Sequence, residues 1–146
     1  MKAILIDPFL RTVTDVEVPE KNESMEYKAM KALIQCDLID IVRYDKFEVI
    51  IDDEGLFSKG DEQAYFNLRN HMGSFDFFAG RALVTSSDIH GNTISPSFDA
   101  DFIRFLVKWG DKDIGDTTAE KIMSSSPTVI GFETFDDLLK MLGQKI

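Results

Sequence analysis

The part of the chain that most constrains its fold is residues 76–93. Phe77-Phe78-Ala79-Gly80-Arg81-Ala82-Leu83-Val84-Thr85 is an almost unbroken apolar run. It leads directly into Asp88-Ile89-His90-Gly91-Asn92, a polar turn holding one of the chain's two histidines. A short apolar run bounded by turn residues reads as a buried strand. Residues 76–85 are therefore expected to form one strand, with Gly80 marking a bulge or a close backbone approach.

Other elements are arranged around this strand. Residues 2–7 are aliphatic and read as a strand, ended by Pro8. Residues 12–18 alternate with period two, as a second strand paired to the first. Residues 24–35 read as a helix, with Met25, Ala29, Ala32 and Leu33 at i, i+4, i+7 and i+8 and a cap from Asn22 or Ser24. Residues 38–44 and 47–51 read as strands joined by the two-residue link Asp45-Lys46, a hairpin spacing. Residues 58–74 read least clearly, with 64–68 a short helix or a loop over the sheet. Residues 100–109 read as a helix, because Phe102, Phe105, Leu106 and Trp109 fall at i, i+3, i+4 and i+7. Asp99 caps its start and Gly110 takes the left-handed position beyond its end. Beyond it, residues 117–123 read as a short helical segment, 127–132 contain a strand, and 134–142 form a closing helix.

Length bounds the architecture: 146 residues fit one domain with a sizeable core. The expected fold is a single α+β domain over 1–146, with a mostly antiparallel sheet of five or six strands and two or three helices on one face. Residues 1–109 form its core and 110–146 an extension packed on it.

Charge narrows function. Twenty-six acidic residues against sixteen basic ones leave a net charge of −10. That excludes direct binding of nucleic acid by phosphate neutralisation, and it disfavours an anionic membrane surface. It leaves solubility, or mimicry of nucleic acid toward a DNA-binding protein. Cys36 is the only cysteine, so no intrachain disulfide forms, which suits a reducing cytoplasm. No apolar run approaches the ~18 residues of a membrane span.

The passages 1–8, 30–42, Val49-Ile50-Ile51-Asp52-Asp53-Glu54-Gly55 and 78–88, in this order, resemble a family of small uncharacterised proteins of phages and bacterial mobile elements. The resemblance covers roughly the first two-thirds of the chain. It implies a small α+β domain with no assigned activity, in a phage or prophage context where accessory proteins bind host proteins. It lends no catalytic residue.

Several constellations bear on chemistry. His90 beside Asp88 is the candidate general base, with Ser86, Ser87 or Thr93 as a possible nucleophile. Asp52-Asp53-Glu54 supplies three carboxylates, but consecutive side chains at a strand end diverge. The run from Asp111 is no calcium loop, because Gly115 falls at the fifth position, Asp116 at the sixth where glycine is required, and Ile122 at the twelfth where a glutamate belongs. One cysteine and two histidines do not build a zinc site, and no phosphate-binding glycine loop is present. No metal or cofactor is expected.

The function expected from these residues is non-catalytic binding of a host or phage protein in the cytoplasm. Arg81, Asp88, His90, Asn92 and Trp109 are the candidate binding residues. The alternatives are a small hydrolase using His90 and Asp88, an acidic nucleic-acid mimic, and an assembly role as a homo-oligomer through a sheet edge.

Overall fold

The computed structural model describes residues 1–19, 22–56 and 62–110. The elements expected over 117–123, 127–132 and 134–142, with the loop at 111–116, lie outside the described residues. Those described fold into two antiparallel sheets and two helices.

The first sheet grows from the N-terminal aliphatic strand. β1 (Lys2–Asp7) pairs with β2 (Thr12–Glu17) on one side and with β7 (Ala82–Ser87) on the other. β7 pairs in turn with β4 (Glu48–Asp52), and β4 with β3 (Ile39–Arg43). The order is β2-β1-β7-β4-β3, and the short β8 (Thr93–Ile94) adds to the end of β7. The expected hairpin at Asp45-Lys46 forms, closed by the Tyr44 N–H donating to the Phe47 carbonyl at 2.8 Å. The sheet is six-stranded and antiparallel, as expected for this α+β fold.

Register decides which side chains share a face. Ile4, Val84 and Val49 lie opposite one another across three strands, as do Leu5, Leu83 and Ile50. Because side chains alternate along a strand, these two rows point to opposite faces. Both rows are buried or nearly so. A sheet buried on both sides requires central strands that are apolar without a break, which is why 82–85 shows no polar alternation.

The two faces are covered differently. α1 (Glu23–Ile34) lies over the Leu83 row, packing Met30 and Ile34 against Ala3, Ile50 and Leu83. Its start is capped by Asn22, whose side chain accepts from the Met25 N–H at 2.9 Å. Its end is turned by Gln35 in the left-handed region, φ 57°. The buried stripe runs through Ala29, Met30, Leu33 and Ile34, rotated from the expected one. Met25 and Ala32 are exposed.

The opposite face carries α2 (Ala100–Leu106) and the second sheet. Phe98, Phe102, Ile103 and Leu106 join Ile4, Ile6, Val49 and Val84 in one cluster with Phe66, Leu68 and Phe78. The helices therefore divide between the faces. Phe47, Phe98 and Phe102 meet edge to face on this side, with Phe98 and Phe102 centroids 4.7 Å apart, while Phe66 and Phe78 stack at 5.2 Å. Each fully buried large side chain contributes about 1.5–3 kcal/mol by leaving water.

Three expected elements differ. The run 76–85 is two strands in different sheets: β6 (Phe75–Ala79) pairs with β5 (Tyr65–Arg69), while β7 belongs to the first sheet. Gly80-Arg81 carries the chain between them. Gly80 has φ +84° and donates its N–H to the Ala64 carbonyl at 2.8 Å. A conformation with positive φ is open to glycine without a Cβ penalty. The second difference is β5 itself, a strand where 64–68 read as a short helix or loop. Third, the helix at 100–109 stops at Leu106, and β9 (Val107–Trp109) pairs with β5. Sheet pairing overrides the helical spacing of Trp109. Gly110, at φ 145°, follows a strand and caps no helix.

Candidate functional site

The turn after β7 is built by Asp88. Its Oδ1 accepts the N–H groups of His90 and Asn92, both at 2.9 Å, and its Oδ2 accepts the Asn92 side-chain amide at 3.1 Å. The Asp88 N–H donates to the Asn92 carbonyl, and Gly91 allows the reversal with φ +84°. Hydrogen bonds from the turn, led by the Asn92 N–H, hold the Asp88 carboxyl below its ordinary value. Asp88 thus meets His90 through the backbone. No hydrogen bond among the described residues joins the Asp88 carboxylate to the His90 ring. His90 is exposed and Ile89, at the tip, is 96% exposed.

The far side of this turn forms one wall of a groove. Gly91, Asn92 and Thr93 face Glu26, Tyr27 and Met30 of α1 across a floor of Ile39, Ile41 and Ile50. The groove encloses about 280 Å³. Ile39 and Ile41 stand on β3, an edge strand of the sheet. With Asp52 and Ile50 as their partners on β4, they share the α1 side of the sheet. α1 covers Ile50 and leaves Ile41 43% exposed and Tyr27 41% exposed. The Lys31 ammonium sits 4.6 Å from the Tyr27 ring centroid and holds that ring at the rim. The β3 edge is blunted, because the Asp40 carboxylate accepts the Ile41 N–H at 2.8 Å.

The candidate binding residues fall in separate places. Asn92 lines the groove, and Asp88 shapes the turn behind it. Arg81 precedes β7 while Asp88 follows it, so the strand separates them by roughly 23 Å. Arg81 donates from Nε to Asp7 Oδ2 at 3.1 Å, and its guanidinium lies 4.5 Å from the Phe9 ring centroid. The Asp7 Oδ1 also accepts the N–H groups of Phe9 and Leu10. Both side chains of the pair are largely buried, at 15% and 7% exposure. Arg81 thus braces the β1–β2 corner. Trp109 lies on β9, half-buried against the core.

The other chemical clusters serve local structure. Asp52 Oδ1 accepts the Glu54 N–H at 2.9 Å, which tightens the turn after β4. Cys36 lines a hollow with Lys31, Asp37 and Asp52. Burial, and then the charges of Asp52 and Asp37, push its thiol up to about 11. The Tyr44 hydroxyl donates to Asp76 Oδ2 at 2.6 Å and ties β6 to the first sheet. Burial and that bond push the Tyr44 hydroxyl well above its ordinary value. Among the described residues, no three His, Cys, Asp or Glu side chains are grouped to hold a metal ion, and no helix is long and apolar enough to cross a membrane.

Tyr27, Met30 and Ile41 were legible in the sequence only as helix and strand residues. The signal for a groove is tertiary: α1 leaves the β3 edge of its own face open.

A family model described as a domain of unknown function (DUF3846) matches residues 1–107. No curated protein and no solved structure matches the chain.

Proposed function

We propose that this chain, which belongs to the DUF3846 family of domains of unknown function, is a non-catalytic accessory protein that binds another protein through the groove between α1 and β3. The observation that carries this reading is exposed Tyr27 at the rim of an apolar floor whose Ile41 is itself exposed, beside a polar wall fixed by Asp88. An apolar hollow with a polar rim is the form taken by the centre of many protein interfaces. A volume of about 280 Å³ suits one or two anchoring side chains of a partner. The resemblance of residues 1–8, 30–42, 49–55 and 78–88 to phage and mobile-element proteins supports a host or phage protein as that partner, met in the cytoplasm.

The hydrolytic reading is weaker, because the Asp88 carboxylate is engaged by its own turn. Nucleic-acid mimicry needs a continuous acidic stripe. Asp7, Asp15, Glu48 and Asp101 instead each stand beside a basic side chain.

Affinity capture from a host lysate tests the proposal when wild type is run beside Ile41→Asp and His90→Ala. The expected result is one stoichiometric partner retained by wild type and His90→Ala and lost by Ile41→Asp. Retention by Ile41→Asp would sink the groove as the binding surface.

A further inference from the structure

Another concavity lies at the opposite edge of the first sheet, where β2 meets α2 and β9. It encloses about 300 Å³ and is lined by Arg11, Thr12, Val13, Thr14, Arg104 and Trp109. Two guanidinium groups and an indole meet here in a chain of net charge −10. Among the described residues no carboxylate lines the pocket, although Asp101 pairs with Arg104 beside it. From the juxtaposition of Arg11, Arg104 and Trp109 we infer that this pocket binds a small planar anion: one aromatic or heteroaromatic ring bearing a single phosphate or carboxylate.

The side chains suit the two parts of such a ligand. Guanidinium forks match the oxygens of phosphate and carboxylate in two-pronged hydrogen bonds. Arg104 is anchored for this role. One terminal nitrogen meets Asp101, and the other donates to the Val13 carbonyl at 2.7 Å. Of its five N–H donors, those two contacts leave others for a ligand. Arg11 is exposed and forms no ion pair with another described residue. Its backbone is held at φ 53°, a left-handed conformation that is strained for a residue with a Cβ. The corner that holds it there is fixed by Asp7, through the Phe9 and Leu10 N–H groups and Arg81. Trp109, half-buried, offers ring surface for stacking.

Size and charge set the ligand class. A hollow of about 300 Å³ stands at the bottom of the ~300–1,000 Å³ range of small-molecule sites, so one ring system fills it. The acidic chain as a whole opposes a polyanion, which leaves a small ligand with one anionic group. This inference does not depend on the α1–β3 groove, which lies at the other edge of the sheet.

Trp109 is the chain's single tryptophan, so its fluorescence reports on this pocket alone. The full chain is titrated with adenosine monophosphate and with benzoate, then with adenosine and with inorganic phosphate. The expected result is a saturable change with at least one of the first two. Their relative affinity tells phosphate from carboxylate as the anionic group. Adenosine and inorganic phosphate, each lacking one part, are expected to bind about tenfold more weakly or worse. Arg11→Gln is expected to weaken binding about tenfold with unfolding temperature unchanged. Calorimetry on Trp109→Phe checks the ring contact without the fluorophore, and a weaker affinity is expected. No saturable change with either anion, equal binding of inorganic phosphate, or undiminished affinity in Arg11→Gln would each overturn the inference.

Discussion

Replacing Arg81 with methionine tests whether this residue is a brace or a binding surface. The sequence places it among residues free to meet a ligand. In the fold it forms a largely buried pair with Asp7. Arg81→Met keeps an aliphatic stem over Phe9 but removes the charge facing Asp7 Oδ2. Removing one partner of a buried ion pair costs about 3–5 kcal/mol, because the remaining charge is left without compensation. Two features reduce that here. Asp7 keeps the Phe9 and Leu10 N–H bonds, and the Arg81 side chain is 15% exposed, so water reaches the site. The expected loss is about 2–3 kcal/mol, or roughly 6–9 °C in unfolding temperature for a chain of this size. Urea unfolding followed by circular dichroism measures it. Asp7→Asn supplies a sign test. Alone it destabilises, since it takes the carboxylate from Arg81. Added to Arg81→Met it is expected to be neutral or stabilising, since it removes the orphaned charge. A loss below about 0.5 kcal/mol in Arg81→Met, the range of ordinary surface changes, would refute the reasoning and return Arg81 to the pool of free surface residues.

Other perturbations follow from the same geometry. At Gly55 an added Cβ would stand 2.6 Å from the Ala79 carbonyl oxygen, so Gly55→Ala is expected to cost about 1–3 kcal/mol in chemical denaturation; wild-type stability would show that no close approach exists there. Asp88 has a depressed folded-state carboxyl, so its contribution to the turn is complete above the ordinary carboxylate value and lost as pH falls through the lower folded value. The His90 and Asn92 amide resonances should therefore titrate with a midpoint below 3.8, and a midpoint at or above it would contradict the hydrogen-bonded turn. Cys36, raised to about 11, should alkylate with iodoacetamide far more slowly at pH 8 than a free cysteine, and accelerate as pH approaches its raised value; reaction at the free-thiol rate would show an open, unshifted thiol.

The first sheet was legible because its strands carry local signals. The period-two alternation of residues 12–18, the two-residue link Asp45-Lys46 and the Asn22 and Asp99 caps each act over a few residues, and each forms as expected. What was hidden depends on partners distant in sequence. Phe77 and Leu83 look like one strand, since nothing in their composition records that one belongs with Tyr65–Arg69 and the other with β1 and β4. Trp109 keeps helical spacing with Phe102, yet pairing with Phe66 decides its conformation. The polar turn at 88–92 is visible in the sequence as a turn, but the structural use of Asp88 depends on backbone N–H directions. The groove residues Tyr27 and Ile41 were hidden for a related reason: their exposure follows from where α1 stops covering the sheet.

Site-specific photocrosslinking in the host cell shows whether the α1–β3 groove meets a partner protein. A photoreactive residue is placed at Ile41 in the groove, 43% exposed, and another at Met72, which is more exposed at 77% but lies in the β5–β6 turn. The expected result is one discrete adduct of constant mass from position 41, heavier than a dimer of the chain or otherwise distinct from it, and none from position 72. No adduct at 41, an adduct equally strong at 72, or one that proves to be a second copy of the chain would contradict it.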